Sequence, residues 1–171
     1  MNKIVLLGNA ITFFGAVLMI CSGFIKSRKN ILRAQSVQCL LMGSGNLVLG
    51  SVNGFIANMV SIVRNYICLK REFTIPLKVF FIAIQVALSA GFNNLGIIGW
   101  FPAISAAMFT WFLDTKSPTV LKTVIIATEV LWAIHDLTIL NYVALVTDIF
   151  TIITNAAGIW MLNRPQKKTV G

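Results

Sequence analysis

Residues 129–155 read EVLWAIHDLTILNYVALVTDIFTIITN, two apolar stretches joined by the short uncharged connection TILN. Both belong to apolar segments of about 20 residues, the length that a helix needs to cross the hydrocarbon core of a bilayer. Yet this segment holds the only histidine of the chain and three of its five acidic residues. It therefore predicts membrane-spanning helices, in which ionisable groups are costly and need an explanation.

The composition of the whole chain agrees with a membrane protein. Of the 171 residues, 57% are hydrophobic and only 11% are charged, and the mean hydropathy is +0.86. Soluble domains are about one quarter charged. The net charge of +9 does not indicate nucleic-acid binding, because the basic residues form short clusters between apolar runs. We expect a single membrane domain over residues 1–171.

Seven apolar segments predict an all-α integral membrane protein with seven transmembrane helices. The first exceeds the apolar core of about 7–15 residues found in signal peptides, so we expect it to be retained. Gly50 and Asn141 suit tight turns, and Pro76 and Pro118 suit first helical turns. The predicted spans are 4–25, 34–50, 53–69, 76–93, 95–113, 119–138 and 140–162.

Positive charge alternates between the connections. All lysines and arginines except Lys3 and Arg64 lie at every second connection, whereas GSVNG (50–54), FNNLG (92–96) and TILN (138–141) carry no charge. Basic connections stay in the cytoplasm, so the N-terminus is predicted outside and the C-terminus inside. The basic positions are KSRKNILR (26–33), KRE (70–72), Lys78, Lys116, Lys122, Arg164, Lys167 and Lys168.

A shift of ninety positions places the polar residues of span three on those of span seven. Asn58 falls on Asp148, Ser61 on Thr151 and Asn65 on Asn155, each set spaced i, i+3, i+7 along one helix face. We interpret this as two parallel three-helix repeats, 1–71 and 95–164. An odd-numbered unit ends on the opposite side from its start, so a linker helix (76–93) must intervene.

The polar stripes predict a substrate pocket between spans three and seven. A charged side chain near the bilayer centre costs about 2.5–3.5 kcal/mol, so Asp148 should face a cavity or a partner. Single Asn, Ser and Thr residues have a plainer explanation as interhelical hydrogen bonds of about 0.6 kcal/mol each. The predicted pocket residues are Asn58, Ser61, Trp132, Asp148, Thr151 and Asn155.

Four further residues are candidates for gating or proton linkage: Arg64, Glu129, His135 and Asp136. Glu129 lies near the middle of its span. His135 and Asp136 lie near the outer end, where solvation by external water is an equal explanation. Arg64 lies about 9 Å from the cytoplasmic end, where it could either extend to the surface or pair with Glu129.

No enzyme, metal or cofactor site is predicted. One histidine cannot form a multi-histidine metal site, and His135 and Asp136, adjacent on a helix, should point about 100° apart. No glycine-rich phosphate loop is present. Cys21, Cys39 and Cys68 lie within apolar runs without metal-ligand spacing, which is typical of buried free thiols.

Four motifs resemble the YgjV-type bacterial inner membrane proteins, over nearly the whole chain. The resemblance implies a location in the bacterial inner membrane. The motifs are RAQSVQ (33–38), IANMVSIVRN (56–65), GWFPAISAAMFTWF (99–112) and LWAIHD (131–136).

More distantly, the plan is similar to SWEET and PQ-loop transporters, which have three-plus-one-plus-three helices and an external N-terminus. Trp132-x-x-His135-Asp136 resembles the W-x-x-Y-G pattern of that group, and Met42-x-x-Gly45-Asn46 occupies the matching place in the first repeat. Asn58 and Asp148 stand where those transporters carry substrate-facing asparagines. Two departures are the missing Pro-Gln pairs and the aspartate, which puts sugar specificity in doubt.

The sequence thus favours a transporter of a small solute, such as a sugar or an amino acid, in the bacterial inner membrane, with proton linkage as a further hypothesis. The alternative is a membrane protein that does not transport but binds lipid or a partner membrane protein. The bilayer and an unidentified solute are the expected partners, and a homodimer remains open.

Overall fold

The computed structural model describes residues 2–22 and 28–162, and within these ranges the chain forms seven α-helices. The predicted all-α class is confirmed, and each predicted span corresponds to one helix. Lys26, Arg164, Lys167 and Lys168, on which part of the charge pattern depends, lie outside the described residues. The helices are α1 (Lys3–Ser22), α2 (Arg28–Val48), α3 (Val52–Lys70), α4 (Ile75–Phe92), α5 (Phe101–Phe112), α6 (Pro118–Thr138) and α7 (Tyr142–Leu162).

Two helix starts differ from the prediction. Helix α2 begins at Arg28, so most of the basic cluster 26–33 is helical, because lysine and arginine are good helix formers. Helix α5 begins later than predicted, after a 3-10 turn at Ile98–Trp100. The side chain of Asn93 holds the preceding connection by accepting from Leu95 N–H (3.1 Å) and donating to the carbonyl of Gly96 (2.7 Å).

Among the described residues, three helices are long and apolar enough to cross a membrane by length and composition: α1, α4 and α7. Helices α2, α3 and α6 are of similar length but carry more polar residues. Those residues turn inward, since Asn46, Arg64 and His135 are all buried. Val63 and Leu137, on the outer faces of α3 and α6, are more than half exposed. At these positions the helices turn polar residues inward and apolar residues outward.

The turns between α2 and α3 and between α6 and α7 have the same backbone hydrogen bonds. The N–H of Ser51 donates to the carbonyl of Asn46 at 2.8 Å, and that of Asn141 donates to the carbonyl of Asp136, also at 2.8 Å. The residue before each, Gly50 or Leu140, has a positive φ, at 88° and 60°. Each pair of equivalent residues is ninety positions apart in the sequence.

The helix caps of the two turns match as well. Ser51 Oγ accepts a hydrogen bond from the N–H of Gly54 at 3.0 Å, and Asn141 Oδ1 accepts one from the N–H of Ala144 at 3.4 Å. Each side chain satisfies one of the free N–H groups at the start of α3 or α7. The predicted tight turns at GSVNG and TILN therefore share one geometry.

Hydrogen bonds gather the three uncharged connections at one end of the bundle. The side chain of Asn94, between α4 and α5, donates to the carbonyl of Gly50 at 2.5 Å. Ser51 Oγ lies 2.6 Å from Nε2 of His135, near the end of α6. We call this the turn end of the bundle.

At the opposite end of the bundle, a buried lysine of α4 binds the α5–α6 connection. Lys78 Nζ donates to the Asp114 carboxylate and, at 3.0 Å, to the carbonyl of Trp111. This bond from the lysine holds the pKa of Asp114, which lies in the α5–α6 connection, below its ordinary value. The first turn of α4 and the α5–α6 connection therefore meet at the end that carries basic residues.

Candidate functional site

A cavity of about 160 Å³ lies among the helices. Six helices contribute lining residues, and α4 contributes none among the described residues. Glutamine, asparagine, serine, arginine and carboxylate side chains all reach it, which is uncommon inside a helical membrane bundle, where such groups are costly.

Seven of the ten predicted site residues line this cavity. The remaining three are Thr151, Asn155 and His135. The structure brings together Asn58, Ser61, Arg64, Glu129, Trp132, Asp136 and Asp148. Gln35, Gln38, Asn65 and Ser105 also line it, and the sequence analysis did not assign them to a pocket.

Thr151 and Asn155 lie outside the cavity lining. Thr151 Oγ1 donates to the carbonyl of Thr147 at 2.9 Å, and Asn155 Nδ2 donates to the carbonyl of Thr151 at 2.9 Å. Both side chains therefore satisfy themselves on their own helix, as short polar side chains often do. Of the polar stripe on α7, Asp148 lines the cavity and these two residues do not.

Three carboxyl groups converge in the cavity. The side chains of Glu129 and Asp136 on α6 and of Asp148 on α7 line the same cavity and lie close enough to interact. Two carboxyl groups can form a hydrogen bond only if one carries a proton. Among the described residues, the buried Oδ2 of Asp148 has no hydrogen-bond partner. We call these three residues the acidic cluster, and its members must share protons or attract a cation.

Arg64 occupies a place that neither predicted alternative described. It is 5% exposed, so it does not extend to the surface, and among the described residues no carboxylate, including Glu129, lies within ion-pair distance. Its Nη1 donates to Oγ1 of Thr110 (3.0 Å) and its Nη2 to Oδ1 of Asn65 (3.3 Å). The guanidinium also lies 5.3 Å from the ring centre of Phe109. Contacts from α5 thus hold it inside the bundle.

His135 and Asp136 correct two expectations. Both are buried, at 0% and 2% exposure, so solvation by external water does not explain them. Nor do they point apart, since His135 Nδ1 lies 2.9 Å from Oδ1 of Asp136. The 100° offset applies to the Cα–Cβ directions, and side-chain torsions bring the two polar ends together. The other ring nitrogen meets Ser51.

Ser51, His135 and Asp136 are connected in the order of a serine-hydrolase triad. The geometry alone would suggest a nucleophile, but Ser51 is fully buried and its Oγ already caps α3. A nucleophile must reach a substrate carbonyl. A serine just before a helix is typical of an N-cap, and this is the role that Ser51 has.

A second bond crosses between the same pair of turns. Asn141 Nδ2 donates to Oδ1 of Asn46 at 3.1 Å, so each capping side chain reaches a helix of the other turn. We call Ser51–His135 and Asn141–Asn46 the crossed bonds. Asn9 on α1 also holds the turn between α6 and α7, because its side chain donates to the carbonyl of Leu140 at 2.9 Å.

Close packing explains why α2 has no counterpart of His135. Gly45 stands ninety positions before it, and a Cβ there would collide with Oγ1 of Thr12 and lie 3.0 Å from the carbonyl oxygen of Gly8. Helix α1 approaches α2 too closely for a side chain at this position. Of these two equivalent positions, the one on α6 has room for an imidazole and the one on α2 does not.

A helical bundle with apolar spans and a buried charged cavity defines a multi-pass integral membrane protein. The model of the Imp-YgjV family, described as bacterial inner membrane proteins, matches residues 6–166, and the chain belongs to this family. The predicted membership and the location in the bacterial inner membrane are confirmed. No curated protein and no solved structure matches the chain.

Proposed function

We propose that the protein is a carrier of a small solute, that all seven helices cross the inner membrane, and that the cavity is the solute site. The observation that carries this proposal is the cavity lining, where an arginine from α3 meets three carboxyl groups from α6 and α7 inside the bundle. Ionisable groups inside a membrane are costly and ordinarily mark a path for solutes or protons. Interhelical hydrogen bonding alone would not require them.

The proposed architecture is a pair of three-helix units, 1–71 and 95–164, related in parallel and joined by α4. Three observations support it: the matching turns at an offset of ninety residues, the crossed bonds between those turns, and the absence of α4 residues among the described cavity lining. Transporters built from repeats hold their substrate at the repeat interface. Asn58 and Asp148, equivalent by the offset, both line the cavity.

The crossed bonds supply a gate at the turn end. They connect the two units at the end nearest Asp136, and all four participating residues are buried. If the units rock against each other, as repeats do in alternating access, these bonds must break to open the cavity on that side. The cavity can then open toward one side at a time.

Asp136 connects this gate to the acidic cluster. Asp136 interacts with Asp148 and forms a hydrogen bond with His135. His135 in turn forms a hydrogen bond with Ser51. A change of proton occupancy in the cluster therefore alters the bond that holds His135 at the gate. This is the structural basis for proposing proton-linked transport.

We propose no enzymatic activity. The resemblance of Ser51, His135 and Asp136 to a hydrolase triad is accounted for by the cap and the gate, and Ser51 is inaccessible. The non-transporting alternative, binding of lipid or a partner helix, leaves the buried charges of the cavity without a role.

The orientation can be tested with reporter fusions. The uncharged turn end is expected outside, so fusions after Gly50 and after Gly91 should report an external location. A fusion after Arg71 should report a cytoplasmic one. A cytoplasmic signal at Gly50 would contradict the seven-span arrangement and the two units with it.

Uptake into proteoliposomes tests the function itself. Across a panel of sugars, amino acids and polyamines, we expect protein-dependent accumulation of at least one class. Ala57→Leu places added volume in the cavity, where Ala57 is 1% exposed, and should lower that uptake at least about tenfold. Ala156→Leu, on an exposed face of α7, is the matched control and should transport normally. Equal uptake by both variants would place the pathway elsewhere.

A further inference from the structure

Two buried groups without partners face the cavity from α3. Nε of Arg64 and Nδ2 of Asn65 have no acceptor among the described residues, although the side chains are 5% and 1% exposed. Leaving a buried donor unpaired destabilises a protein, and a charged donor does so more than a neutral one. Both groups can be satisfied by a ligand that brings an anionic acceptor.

The opposite chemistry faces the cavity from α6 and α7. Oδ2 of Asp148 lacks a donor among the described residues unless the acidic cluster supplies a proton, and Glu129 and Asp136 lie beside it. Asp148 is six residues from the start of α7, and Arg64 is twelve from the start of α3. Because both helices start at the turn end, the two groups differ in depth by about 9 Å. The cavity thus has an acidic end and a basic end.

From these unpaired groups we propose that the solute is a small zwitterion, which places its carboxylate at Arg64 and Asn65 and its ammonium group at the acidic cluster. The inference rests on the proposed carrier function and names its substrate class. A neutral sugar can form hydrogen bonds but leaves Arg64 without a counter-ion. A simple amine or a simple carboxylate neutralises one end only.

The volume agrees with a short amino acid. A cavity of about 150 Å³ accommodates benzene. The cavity of about 160 Å³ therefore takes a solute of similar size, such as alanine or γ-aminobutyrate, whereas a hexose is larger. The ammonium group also takes the position of a shared proton in the acidic cluster, so binding of the solute and of the proton compete there.

The test measures the Tm of the full-length protein in nanodiscs with millimolar L-alanine, β-alanine, γ-aminobutyrate, propylamine, propionate or glycerol. At least one of the three zwitterions should raise the Tm by roughly 2–4 °C, and the three others should not. The inference is overturned if propylamine, propionate or glycerol stabilises as much as the best zwitterion. It is also overturned if no zwitterion shifts the Tm.

Variants locate the site. Arg64→Gln should abolish the zwitterion shift, whereas Lys70→Gln, which removes an exposed basic residue of the same helix outside the cavity lining, should retain it. A Tm shift that persists in Arg64→Gln contradicts the binding of the carboxylate at Arg64. If this variant does not fold, the Tm measurements on the wild-type protein decide alone. Because binding is measured apart from uptake, the two proposals fail separately. A sugar that is taken up while no zwitterion binds removes this inference only, and a zwitterion that binds but never crosses removes the carrier function only.

Discussion

Asp148→Asn is expected to abolish the pH dependence of solute uptake while leaving the fold in place, with Glu129 and Asp136 still able to bind the solute. An amide keeps the size and the hydrogen-bonding capacity of the carboxyl group but cannot release a proton. The groups that face Asp148 are Glu129 and Asp136 from α6, with Arg64 and the neutral Asn58 on the α3 side of the cavity. Glu129 and Asp136 both interact with Asp148, so its replacement removes the carboxyl group that the other two share.

The measurement is initial uptake over a range of external pH for wild type and variant in proteoliposomes. We expect a several-fold change across the range in wild type and a flat profile in the variant. Asp114→Asn changes a carboxylate that lies outside the cavity and should keep the wild-type profile. If Asp148→Asn also keeps that profile, Asp148 is only a polar wall residue, and the proton-linked mechanism is wrong.

His135→Leu is expected to destabilise the protein strongly. Leucine makes neither of the two hydrogen bonds of the imidazole and leaves Asp136 buried without its partner on His135. The loss of buried partners at both ring nitrogens should lower the free energy of unfolding by about 2–5 kcal/mol. In a chain of this length that corresponds to a fall in Tm of roughly 5–15 °C.

Thermal unfolding of the purified protein checks this expectation. His135→Gln, which keeps a polar side chain able to reach one of the two partners, should lose clearly less. Leu137→Ala, on the exposed face of the same helix, controls for a generic effect on α6. A His135→Leu protein as stable as wild type would mean that the crossed bonds do not hold the two turns together.

Apolar length and turn residues were sufficient to predict all seven helices. Pro118 begins α6 as predicted, and the turn before α7 falls at TILN. Leu140 adopts a left-handed φ of 60° at that turn, which its side chain does not indicate, since leucine rarely takes this conformation. Its conformation follows from the bonds around it, including the one from Asn9 to its carbonyl, and these depend on tertiary packing.

The site was partly predictable for a related reason. The polar stripe on α3 and α7 and the offset of ninety residues identified Asn58 and Asp148, because a costly buried group at helical spacing is visible in the sequence. The partners of Arg64 and His135 were not visible. Thr110 and Ser51 reach them from distant parts of the chain, and neither residue type at its position indicates such a contact.

The most direct test of whether the cavity is a passage or a sealed polar core uses Cys39, which lines it. In a variant that keeps only this thiol (Cys21→Ser, Cys68→Ser), a membrane-impermeant thiol reagent is added to either face of oriented vesicles. A passage with alternating access predicts that Cys39 reacts from both faces, and that a transported solute slows both reactions. Reaction from one face only, or from neither, in a variant that still folds would contradict the carrier function.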